Sequence, residues 1–142
     1  MKTNQFGYTI IVLLLLVEAL IISWFFYTHQ EKLSNLLITT SILALIFILF
    51  YRLKIVIDDK AIRICYGIGL IKTQFSLDKI DTVKVVNNSS LLGFGIRYTK
   101  GFTLYNIDGT SGIELTFKDG SQKVRIGTNL PNQLIDYINR RI

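Results

Sequence analysis

"GIELTFKDGSQKVRIGTNLPNQLIDYI", residues 112–138, holds two hydrophobic periods and the joint between them. Up to Gly127 the apolar residues alternate: Ile113, Leu115 and Phe117 on one arm, Val124 and Ile126 on the other, with Asp119-Gly120 between. Alternation turns one face of a strand toward a core, and Asp-Gly accepts the positive φ of a tight turn, so the stretch predicts a β-hairpin. Beyond Gly127 the period changes. Leu134, Ile135, Ile138 and Ile142 share one helical face, while Asn132, Asp136 and Asn139 take the other. Thr128 or Asn129 can cap the free N–H groups, Pro131 suits the first turn, and Arg140 and Arg141 suit the last. Gly127-Thr128-Asn129 therefore reads as a hinge between a sheet and a closing helix. A helix N-terminus can hold an anion, but the glycine-rich phosphate loop and its lysine are absent.

The same alternation extends back to Arg52. RLKIVID sets Leu53, Ile55 and Ile57 on one face; AIRICYG sets Ile62, Ile64 and Tyr66 inward; IKTQFSL aligns Ile71, Thr73, Phe75 and Leu77. DTVKVVN points Val83 and Val85 inward, and a looser stretch, SSLLGFGIRYTKG, leads into FTLYNID. Roughly seven short strands at this spacing predict a barrel or sandwich, whose open end the C-terminal helix plugs.

GFGIRYTKGFTLYNIDGTSGIELTFKDGSQKVRIGTNLPNQLIDYI, residues 93–138, resembles the pleckstrin-homology (PH) superfold, and in particular the PH-like domains of small bacterial membrane proteins in which a helical hairpin precedes the domain. The likeness lies in the order of its parts: a glycine- and arginine-containing loop, a Tyr-Asn strand, an Asp-Gly hairpin, and the Ile-Gly-Thr lead-in to the last helix. It implies the fold and a membrane setting, but no single activity. PH domains that bind phosphoinositides use basic residues around their first hairpin. Here that hairpin, VIDDKAIRI, sets Asp58 and Asp59 beside Lys60 and Arg63, which argues against inositol-phosphate recognition.

The first 51 residues differ in kind. Half of the whole chain is hydrophobic, and the excess collects here. FGYTIIVLLLLVEALIISWFFYT, residues 6–28, is about 23 residues or roughly 34 Å as a helix, long enough to span a bilayer, and ends in the aromatic belt Trp24 to Tyr27. A second apolar run covers residues 34–51. The bulky flank and Glu18 argue against a cleaved signal peptide. The chain thus divides into a membrane hairpin over residues 1–51 and a mainly-β domain over residues 52–142. All but two of the 16 Lys and Arg, and all but two of the 10 Asp and Glu, lie from Arg52 onward, so this part carries the whole net charge of +6. Arg52, Lys54, Lys60 and Arg63 follow the second helix, whereas the hairpin tip offers Lys32 beside Glu31. The bias predicts a multi-pass protein of the inner (cytoplasmic) membrane with both termini cytoplasmic.

Glu18 is the one ionisable residue deep in either helix. Counted from the hairpin tip it lies near the depth of Thr40 and Ser41, whose hydroxyls can bond it, and such a residue marks a helix contact or an oligomer contact. In the β domain the loop NNSSLLGFGIRYTKG sets Leu91, Leu92, Phe94 and Tyr98 beside the cations Arg97 and Lys100. That mixture suits a bilayer interface or a protein groove, although Leu92, Phe94 and Ile96 can equally fill the barrel end.

No catalytic constellation emerges. His29, the only histidine, falls at the hairpin tip on the far side of the membrane from the domain, and Cys65, the only cysteine, reads as a packed thiol. Asp58-Asp59 reads as a turn rather than a metal site. No cofactor, no metal and no nucleic acid are expected; a basic domain held against an anionic leaflet accounts for the charge. The expectation is a non-catalytic, membrane-anchored scaffold or interaction domain whose partners are membrane lipids and a protein, with homo-oligomers possible. The alternative is an accessory subunit of a transporter or envelope complex, docked through the two helices to an integral partner.

Overall fold

The computed structural model describes residues 1–28, 32–89 and 92–142. The expectations placed on His29 and Leu91 lie outside the described residues. In order, the elements are β1 (Lys2–Phe6), α1 (Tyr8–Thr28), α2 (Leu33–Phe50), β2 (Arg52–Ile57), β3 (Ala61–Tyr66), β4 (Ile71–Ser76), a 3-10 turn (Leu77–Lys79), β5 (Ile80–Asn87), β6 (Gly95–Tyr98), β7 (Phe102–Asn106), β8 (Ser111–Phe117), β9 (Lys123–Gly127) and α3 (Pro131–Asn139). Both α1 and α2 are long and apolar enough to cross a membrane, and neither buries a side chain within the molecule. Neither has a marked polar face.

The strands form two sheets, all but β1 after the helices. One has four strands in the order β1-β2-β3-β4, the other five in the order β5-β8-β9-β7-β6. They remain separate sheets, so the layout is a sandwich and the closed barrel does not form. A 3-10 turn separates β4 from β5, and β5 pairs with β8 instead of continuing the first ladder.

β1 is the element that alternation does not announce. It pairs antiparallel with β2 from Lys2↔Val56 to Phe6↔Arg52. The ladder runs on at both ends, through Ile57 N to Met1 O at 2.8 Å and Gly7 N to Tyr51 O at 3.0 Å. The β domain therefore takes in residues from before the helices, across the division between residues 51 and 52. β1 and β2 form a β-hairpin whose connecting loop is the pair α1 and α2.

In the second sheet the β8–β9 hairpin has the expected register, Ile113↔Ile126 and Leu115↔Val124, turning at Gly120 with φ of 71°. β9 then lies between β8 and β7 and pairs with β7 in parallel. The loose stretch before residue 102 contributes β6. Val85 is a correction: it is 51% exposed although its pair-mate Ile113 is fully buried. β5 is the edge strand of its sheet, and a register shift between Ile80 and Thr82 interrupts its alternation.

Leu53, Ile55, Ile57, Ile62, Ile64 and Tyr66 from the first sheet meet Ile113, Leu115, Val124 and Ile126 from the second in one core. Phe75 bridges them, its ring 5.9 Å from those of Tyr105 and Phe117. Leu134 and Ile138 of α3 are fully buried in the same cluster. Each such side chain contributes about 1.5–3 kcal/mol on burial. The capping differs from expectation. Leu130 is the N-cap with no side-chain cap, and the Thr128 hydroxyl accepts instead from Leu130 N at 3.2 Å. Arg140 is the C-cap and Arg141 lies beyond the helix, where it stacks 3.6 Å over the Tyr137 ring and bonds Asp59 at 3.1 Å. Ile142 stays exposed and does not extend the buried face. Gly127 is glycine because the Asn106 side-chain carbonyl occupies the place a Cβ would need.

Candidate functional site

Several specific contacts gather at the junction where the two helices leave and rejoin the sheet. Gly7 makes the turn from β1 into α1: a Cβ there would lie 2.9 Å from both Ile10 and Ile107 side chains. The loop after β7 locks this corner. Gln5 donates to Asp108 O at 2.7 Å, and Thr9 of α1 donates to the Asp108 carboxylate at 2.8 Å. On the other side Phe50, the last residue of α2, packs edge-on to Tyr66 with ring centroids 5.7 Å apart. Tyr66 is fully buried and its hydroxyl lies 3.3 Å from both Gly95 O and Asn106 O. Burial raises its pKa far above the ordinary phenol range, so it stays a neutral donor. Arg52 reaches Gly67 O at 3.2 Å, beside the Tyr51 ring.

Two turns lie at this junction. The loop after β5 reaches it through the half-buried Phe94, which lines a cleft of about 190 Å³ with Thr9, Ser89, Asp108 and Thr110. The β3–β4 turn, Gly67 to Leu70, lies along the end of α2. Gly67 has φ of 52°, and a Cβ on it would collide with the carbonyl oxygens of Ile48 and Leu49. Ile68 and Leu70 in that turn are 61% and 71% exposed.

The contact loop read from sequence does not form one patch. Phe94 lies at the junction and Leu92 is half-buried before it, while Arg97 and Tyr98 lie exposed on β6, and Lys100 sits in the turn at the strand's other end. Tyr98 instead faces Ile71, Lys72 and Tyr105 across a cleft of about 240 Å³ between the edge strands β4 and β6. Within the helices, Thr40 donates to the Glu18 carboxylate at 2.6 Å. Ser41 bonds Leu37 O of its own helix at 2.7 Å and does not reach Glu18. The second Glu18 oxygen is buried and has no partner among the described residues; Glu18 and Thr40 border an apolar cleft of about 250 Å³.

The acidic turn is occupied with its own backbone. Asp58 accepts from Lys60 N at 3.0 Å and Ala61 N at 2.9 Å and pairs with Arg63 at 2.9 Å. Those backbone N–H groups hold its pKa below the usual carboxylate range. Glu114 is the one buried carboxylate of the second sheet. Burial pushes its pKa up, but Arg125 at 2.8 Å and Lys123 at 3.2 Å outweigh that and hold it down.

Sequence reasoning missed the β3–β4 turn, although a signal exists: "GIGL" sets apolar residues where turns ordinarily carry polar ones. It missed β1 because KTNQF has a single apolar residue, and that residue, Phe6, points out while Gln5 is buried.

The class this geometry defines is a β sandwich with an apolar two-helix insertion between its first two strands. Compared with known proteins, the chain matches no family model, no curated protein and no solved structure.

Proposed function

We propose that the chain is a non-catalytic, membrane-anchored scaffold of PH-like type, held on the cytoplasmic face of the inner membrane. Both helices cross the bilayer, the junction face meets lipid head groups, and the edges of β4 and β6 receive a protein partner. The observation that carries this reading is the splice. Both helices join adjacent strands of one sheet with a single residue, Gly7 or Tyr51, between helix and strand. A domain joined without slack holds a fixed orientation to the bilayer, which is what a scaffold requires and a tethered domain lacks. The cations Arg52 and Lys54 on the domain side, against Lys32 at the hairpin tip, support the cytoplasmic placement. The pairing of β1 with β2 adds that both helix ends lie on one side, whichever side that is.

The accessory-subunit reading rests on Glu18. A carboxylate oxygen with no partner among the described residues is costly in an apolar span, and a third helix that donates to it would relieve the cost. Photo-crosslinking groups introduced at Tyr98 and at Leu14 in native membranes separate the two. The scaffold expects a specific protein adduct at Tyr98. The subunit expects an integral-protein adduct at Leu14, beside Glu18. No adduct at either position would sink both readings.

A further inference from the structure

We propose that the β3–β4 turn is a bilayer-inserting wedge, with Ile68 and Leu70 among the lipid acyl chains and Arg52 and Lys72 at the head groups. The inference rests on the membrane reading of α1 and α2. β2 leads away from the end of α2, and β3 returns antiparallel to it, so the turn after Tyr66 points back toward the helix. Gly67 fixes its depth: the turn backbone lies against the Ile48 and Leu49 carbonyls, inside the last helical turn of α2. The chain then goes past that point before it turns back at Ile71, which pairs with Tyr66. Ile68 and Leu70 are left open at 61% and 71%, alongside a helix with no fully buried residue.

The flanks are matched to an interface. Arg52 donates to Gly67 O at the base of the turn, and its Nε is buried with no partner among the described residues. Lys72 lies on the other side; its Cε would be 3.3 Å from a Cβ on Gly69. Apolar tips with cations one step behind them suit acyl chains under anionic phosphates. The distal turn, Asp58 to Lys60, lies at the other end of the same strands and has an acidic character instead.

The test uses the full chain in vesicles of phosphatidylglycerol and phosphatidylcholine with brominated acyl chains. Trp24 is the only tryptophan, so Trp24→Phe gives a silent background for Ile68→Trp, Leu70→Trp and, as the distal control, Lys60→Trp. The wedge expects blue-shifted emission and several-fold stronger bromine quenching at positions 68 and 70 than at position 60. If Ile68→Trp and Leu70→Trp both match Lys60→Trp while Trp24 of the unmodified chain is quenched, the wedge is wrong and the anchoring stands. If Trp24 is not quenched either, the membrane reading fails with it. Equal strong quenching at all three positions also overturns the wedge, because the whole sandwich would then lie on the lipid.

Discussion

Glu114 is charged inside a sheet, and its surroundings set a pH dependence. Its folded pKa lies below the ordinary carboxylate value because Arg125 and Lys123 bond the ionised form more strongly than burial opposes it. Its contribution to stability is therefore complete above the ordinary carboxylate range and is lost as pH falls through the depressed folded value. Glu114→Gln should flatten the acid limb of a plot of urea midpoint against pH; an unchanged limb would show that the pair does not control it. Arg125→Ala leaves the Glu114 carboxylate with the half-exposed Lys123 alone, and should cost about 1.5–3 kcal/mol, the range of a hydrogen bond to a charged group. Gly67→Ala meets a different obstacle: a positive φ that alone costs about 1–2 kcal/mol, plus a methyl driven into the α2 carbonyls. It should lower thermal stability more than Gly120→Ala, where the φ is also positive but the space is open. Thr40→Val removes the donor to Glu18 and should weaken the helix pair by about 0.6–2 kcal/mol, read from the midpoint of a detergent titration.

Elements divide by how they were encoded. Strands whose alternation continues over four or more residues, such as Leu53 to Ile57 and Ile113 to Phe117, could be read directly, as could the face of α3 that buries Leu134 and Ile138. Alternation states which face is inward and says nothing about which strand lies next door, so the parallel β7–β9 pair and the four-plus-five division of strands were not legible. The Glu18–Thr40 bond was legible because helical rise fixes depth; the failure of Ser41 to join it follows from rotation about the helix axis, which depth does not specify. β1 has practical consequences. Residues 52–142 alone lack an edge strand and expose one side of β2. Because Gly7 and Tyr51 are already hydrogen-bonded, a chain in which a short Asn-Gly linker replaces residues 8–50 should close the β1–β2 hairpin directly. That chain should unfold cooperatively at a higher urea midpoint than residues 52–142; equal midpoints would mean that β1 adds nothing. Within it, removing the residues from Pro131 onward should cost several kcal/mol, since Leu134 and Ile138 each contribute about 1.5–3 kcal/mol.

At the scale of the whole molecule, the proposed topology is checked by cysteine labelling. In a Cys65→Ser background, Lys32→Cys should react with an impermeant reagent from outside intact cells and Asp119→Cys should not; the reverse pattern would refute the orientation. The splice also bears on biosynthesis. The ribosome delivers β1 first, then both helices, and only then the strand that β1 needs. Met1 and Ile57 are joined by hydrogen bonds yet lie a whole membrane hairpin apart along the chain. If the helices cross the bilayer as proposed, a hairpin with one helix left uninserted would strand β1 across the membrane from β2 and leave a bare sheet edge for proteases to find. On the proposed membrane reading, completion of the first sheet separates a paired crossing from a single one: β1 reaches β2 only when both helices share the same fate.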